Sequence, residues 1–127
     1  MSHITSIELE VKDLNALKSA CRRLGFDYRE NQKQFEYYKN QKGDCLHAIH
    51  IEGCQYEVGI QKNGNGAYQL AWDNYHQGGL VAALGEEAGK LKQFYGLEKA
   101  KVEARKKGYS VTERMKENGQ IILTMTR

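Results

Sequence analysis

The sequence predicts an α+β fold: a two-layer sandwich of a largely antiparallel sheet with helices on one face, with a ferredoxin-like arrangement as the expected variation. Three observations carry this. The chain opens as strand, helix, strand. Short alternating segments separated by glycine turns follow. A long helical stretch and a terminal hairpin close it.

Residues 4–11 alternate, with Ile7, Leu9 and Val11 on one face and Ser6, Glu8 and Glu10 on the other. That is a half-buried strand. Asp13 offers an N-cap, and Leu14, Leu17, Cys21 and Leu24 recur at helical spacing. Gly25 stands where a left-handed C-terminal cap belongs, so residues 14–24 form a short amphipathic helix. Phe26-Asp27-Tyr28 restarts a strand. Residues 29–44 are polar, and Phe35 to Tyr38 reads as a short strand within a mobile stretch.

Residues 46–51 read as a strand, Gly53 as a turn, and Tyr56, Val58 and Ile60 as the next strand. Asn63-Gly64-Asn65-Gly66 makes a hairpin turn, and residues 67–72 return as the partner strand. Gly78-Gly79 opens a helical stretch whose apolar stripe is Leu80, Leu84, Leu91, Phe94 and Leu97, running on to Gly108. Gly85 and Gly89 weaken it by ~1 kcal/mol each relative to alanine, and Gly96 is a candidate kink. In the terminal hairpin a two-residue Asn118-Gly119 turn would mix the faces. A three-residue loop, with Gly119 left-handed, pairs Met115 with Ile121 and Val111 with Met125, and sorts them.

The chain has 127 residues, 40% hydrophobic and 28% charged, which suits one folded domain over residues 1–127. Net charge is +3, far below that of a dedicated nucleic-acid wrapper. Cys21, Cys45 and Cys54 are an odd set, and no signal peptide or membrane-spanning run is visible. These point to free thiols in a reducing, cytoplasmic compartment and to no membrane partner.

Met1-Ser2-His3-Ile4-Thr5 and Asp13-Leu14-Asn15-Ala16-Leu17 carry a resemblance, as do Tyr56-Glu57-Val58-Gly59-Ile60, Tyr68-Gln69-Leu70-Ala71-Trp72-Asp73, Phe94-Tyr95-Gly96 and Glu103-Ala104-Arg105-Lys106-Lys107-Gly108-Tyr109. Together they resemble the hypothetical chloroplast reading frame thirty-five family of plastids and cyanobacteria, a domain of unknown function. The chain departs from that family's pattern at Asp73, where a second aromatic is usual, and in its glycine-rich 78–89 stretch. The resemblance implies a fold kinship and a compartment, the plastid stroma in plastid-encoded members. It implies no catalytic residues, cofactor or substrate.

The one metal-like cluster is Cys45, His47, His50 and Cys54. On a strand Cys45 and His47 share a face while His50 points away, and tetrahedral zinc wants about four convergent ligands. No metal or other cofactor is expected. The 63–66 glycines lack the following helix, lysine and hydroxyl of a phosphate loop. No nucleophile and base pair stands out, and Cys21 reads as core.

Two features remain for binding. One is the basic run Lys90, Lys92, Lys99, Lys101, Arg105, Lys106 and Lys107, set against Glu98 and Glu103. Lys101 and Arg105 share a helix face, with Lys106 beside them; a solvated face is the plainer reading. The other is the aromatic set Tyr68, Trp72, Tyr75 and Tyr95, a platform if exposed and core if buried. The leading expectation is a non-catalytic binding or adaptor module that meets an unknown protein partner. A weak RNA- or ssDNA-binding module using the basic helix is the alternative, and an enzyme whose site is spatial rather than sequential is the third. The sequence leaves the oligomeric state open.

Overall fold

The structure is a computed structural model, described here over residues 4–127 apart from the side chain of His76. Met1-Ser2-His3, part of the resemblance above, and the His76 side chain lie outside the described residues.

Strand β1 covers Ile4–Val11 and runs into helix α1, Leu14–Leu24. The Asp13 carboxylate accepts from the Ala16 N–H at 3.1 Å. At the far end Gly25 adopts φ 79°, letting its N–H reach the Arg22 carbonyl. Leu17 and Cys21 are buried, as their spacing predicts. Strand β2 is short, Asp27–Arg29. The polar stretch that follows folds into a ribbon of its own, β3 (Gln34–Tyr37) against β4 (Gln41–Asp44). Then come β5 (His47–His50), β6 (Val58–Lys62) and β7 (Tyr68–Asp73).

Five of these strands make one sheet in the order β1-β7-β6-β5-β2, and every neighbouring pair is antiparallel. Its two faces differ by the pleat. One carries Ile7, Ile49, Val58, Ile60, Leu70 and Trp72, packed with α1 and the later helices into the main core.

The other face is built on three small residues in register, Ala48, Gly59 and Ala71, on three adjacent strands. Phe35 of β3 lies on that row and is 1% exposed. A β-carbon placed on Gly59 would sit 2.3 Å from the Phe35 ring. The row is therefore small because an aromatic ring fills the space above it. The β3–β4 ribbon is held to the sheet as a flap, and Phe35 is its anchor.

The helical stretch is not continuous. Helix α2 covers Leu80–Leu84 and ends at Gly85, where φ is 87° and the N–H returns to the Val81 carbonyl. Glu87 and Ala88 are left-handed as well, at φ 54° and 60°. Helix α3, Gly89–Lys106, then starts on a new axis. The bend lets Leu84, Ala88 and Leu91 all reach the core. Gly96, the candidate kink, lies inside α3 with open space around it.

A ferredoxin-like chain returns its last strand to the sheet after the second helix. Here β8 (Ser110–Met115) leaves α3 and, among the described residues, pairs only with β9 (Ile121–Thr126) in a separate two-stranded sheet. The register matches the sequence expectation, Met115 with Ile121 and Val111 with Met125. The Lys116 N–H donates to the Gln120 carbonyl at 2.8 Å, leaving a three-residue loop with Gly119 at φ 85°. No helix among the described residues is long and apolar enough to cross a membrane.

Candidate functional site

The basic run on α3 is not uniformly free. Lys101 is half-buried, its ammonium 3.0 Å from Glu98 and 3.3 Å from Glu113. Its charge is spent inside the domain. Lys99 pairs with Glu103 at 3.0 Å. Arg105 and Lys106 are exposed, Lys106 with only a 3.9 Å approach to Glu103.

The aromatic set does not form an exposed platform. Trp72 and Tyr95 are 4% and 5% exposed, and both belong to the main core. Alternation along β7 puts Tyr68, Leu70 and Trp72 on the helix side, where Tyr68 is half-buried against that core. The Tyr95 hydroxyl accepts from the Lys12 N–H at 3.1 Å, tying α3 to the corner between β1 and α1. Tyr75 is half-buried and meets Tyr38 edge-on at 5.5 Å.

The cysteine and histidine cluster is dispersed. His47 and His50 face opposite ways, as expected of a strand. Cys45 does not follow His47. It lies ahead of β5, beyond the alternation, and packs with Phe35 and Ala48 on the flap side. Among the described residues no three His, Cys, Asp or Glu side chains converge as metal ligands. All three thiols are free. Burial raises the Cys21 thiol to about 12 and the Cys45 thiol to about 11, and raises Cys54 too, which keeps them protonated at neutral pH.

Glu57 was not singled out from the sequence. It is 7% exposed, and its carboxylate accepts from the Glu36 N–H at 3.1 Å and the Gln32 amide at 2.9 Å. His50 Nδ1 lies 3.2 Å from its other oxygen and Arg29 3.6 Å. The chain alternation of Tyr56-Glu57-Val58 signals only that Glu57 points away from Val58. These contacts latch the flap to the sheet. An open groove of about 590 Å³ beside them carries Arg29, Lys33 and Lys42 but also Glu36, Asp44 and Glu57. The mixed charge favours no ligand class.

The terminal hairpin presents something different. Val111, Glu113 and Met115 share a face with Met125, Leu123 and Ile121. Met115 and Met125 are 59% and 51% exposed, and they are the exposed large apolar side chains among the described residues. In the middle of this face Glu113 takes Arg23 of α1 in a two-point pair at 2.7 and 2.6 Å. Arg23 and Lys101 also reach Glu98, at 3.4 and 3.0 Å. The Arg23 guanidinium, and then Lys101, hold the Glu113 carboxyl down at about 2. The hairpin is thus fastened by charge, with Met115 and Met125 left in water and Val111, Ile121 and Leu123 half-buried.

A family model described as a protein of unknown function, DUF1257, matches residues 20–124. The chain belongs to the DUF1257 family. No curated protein and no solved structure matches it. The DUF1257 match runs from within α1 to within β9, and so takes in the flap, the Glu57 latch, α3 and the hairpin as far as Thr124.

The alternation in the sequence places the apolar residues of this DUF1257 hairpin on one face but does not show what they pack against. The available signal was this alternation, which sorts Val111, Met115, Ile121, Leu123 and Met125 together.

Proposed function

We propose that this DUF1257 domain is a non-catalytic protein-binding module whose docking surface is the apolar face of the β8–β9 hairpin. The observation that supports it is the placement of Met115 and Met125, exposed at the two ends of one face with half-buried Leu123 between them, on a hairpin that stands outside the main core. Exposed apolar side chains clustered on one element mark contact surfaces, and methionine adapts to varied partners. The buried Trp72 and Tyr95, the protonated thiols and the satisfied Glu57 supply framework rather than chemistry.

The test is affinity capture from native extract with the intact chain and with Met115→Ser/Met125→Ser. A partner retained by the first and lost by the second, at unchanged thermal stability, is the expected result. Identical captures would remove the hairpin from the reading.

The second reading, a weak RNA- or ssDNA-binding module, draws on the exposed Arg105 and Lys106. Lys101 adds little to it because its charge is already paired. The resemblance to the chloroplast reading frame family and the three free thiols support a reducing compartment, cytoplasm or plastid stroma.

A further inference from the structure

We infer that the hairpin takes up an extended protein segment as a third strand along β9, and that this segment alternates apolar with acidic residues. The inference rests on the docking role proposed for the hairpin and names the partner's chemistry.

Three observations carry it. First, β8 and β9 pair only with each other, so each leaves one edge without a sheet partner among the described residues. Helix α3 lies closer to β8 than to β9, which leaves β9 as the outer strand. A two-stranded ribbon is marginal in water, and adding a strand is a recurrent mode of peptide capture.

Second, β9 carries half-buried Ile121 and Leu123 and exposed Met125 at alternate positions on the face shared with Met115. An incoming strand with apolar side chains at the same period would cover them.

Third, the surroundings are basic. Arg105, Lys106, Lys107, Arg114, Lys116 and Arg127 are all exposed on the end of α3 and on the hairpin. Of these, only Lys106 lies within ion-pair distance of a carboxylate among the described residues, Glu103 at 3.9 Å. Glu113 is occupied by Arg23 and Lys101, leaving Glu117 as the free acid on the hairpin. A second copy of this chain would bring the same positive charge to the contact, whereas an acidic strand complements it.

The experiment uses the intact chain and fluorescein-labelled synthetic strands read by anisotropy. One alternates Leu with Glu, one Leu with Lys. Each is N-methylated along one edge so that it cannot stack on itself. A further Leu-Glu peptide methylated on both edges cannot pair with any strand.

The one-edge Leu-Glu peptide is expected to bind at least tenfold more tightly than the Leu-Lys peptide, and to weaken as salt rises. Its binding is expected to be lost in Met115→Ser/Met125→Ser, whose folding is checked by circular dichroism. Equal binding of Leu-Glu and Leu-Lys peptides would overturn the acidic partner while leaving the docking surface standing. Equal binding of the doubly methylated peptide would overturn strand addition. If neither peptide binds while capture from extract still depends on Met115 and Met125, the inference fails and the docking role survives. Tighter binding of a labelled single-stranded RNA, lost in Arg105→Gln/Lys106→Gln, would overturn it in favour of nucleic acid.

Discussion

Arg23 and Glu113, 90 residues apart in the chain, meet through two parallel hydrogen bonds of 2.7 and 2.6 Å. This joint, shared with Lys101 and Glu98, fixes where the hairpin sits relative to α1 and α3.

Its acid dependence follows from the Glu113 carboxyl, which is held at about 2 against an ordinary 4.5. A lowered folded-state pKa stabilises the fold at pH values above 4.5. That stability is lost as pH falls from 4.5 toward 2. Because both partners are partly in solvent, the pair contributes only about 1 kcal/mol. Glu113→Gln should lower the urea-unfolding free energy by that amount at pH 7. The difference from the natural chain should vanish near pH 2. A difference that stays constant across this range would show that the pair does not stabilise the fold.

The Phe35 anchor gives a second prediction. Phe35→Ala should cost about 3–5 kcal/mol, the range for a buried aromatic ring. Gly59→Ala should cost about 1–3 kcal/mol by forcing the ring off its seat. Combined, the two should cost less than their sum, since the added methyl group enters space the ring has vacated. Simple additivity in a denaturant double-mutant cycle would count against the contact.

Gly119 gives a third. Its φ of 85° is costly for any other residue, while the space around it is open. Gly119→Ala should therefore destabilise by about 1 kcal/mol through the backbone alone. An unchanged denaturant midpoint would argue against the left-handed loop residue.

The Glu57 latch gives a fourth. Glu57→Ala removes the acceptor for the Glu36 N–H and one of two acceptors of the Gln32 amide, which keeps the Gln34 carbonyl. The expected loss is about 3 kcal/mol. Amide hydrogen exchange should rise at Glu36 and Phe35 ahead of the main sheet. Uniform acceleration across all strands would mean that the flap does not open separately.

Much of the fold is legible residue by residue. Asp13 and Gly25 bracket α1, and the hairpin register follows from sorting Val111, Met115, Ile121 and Met125 onto one face. Contacts distant in the chain are not legible. Phe35 sits in a polar stretch, and its seat is contributed by Ala48, Gly59 and Ala71 on three other strands. The break at Gly85 was hidden because Leu80, Leu84 and Leu91 suit one continuous helix as well as two. The basic run looked free for phosphate because Glu113, which shares Lys101 with Glu98, arrives only after the chain has turned at Gly108.

The placement of β1 also bears on how the chain is made. Its sheet neighbour is β7, with Ile4 opposite Asp73. During synthesis β1 therefore precedes its sheet neighbour β7, and waits until residue 73 has left the ribosome. Strands β5, β6 and β7 are consecutive and joined by short turns, so they can assemble among themselves first. Strand β1 is then recruited onto a sheet that already exists, and a nascent chain halted before β7 leaves β1 unpaired and exposed to aggregation.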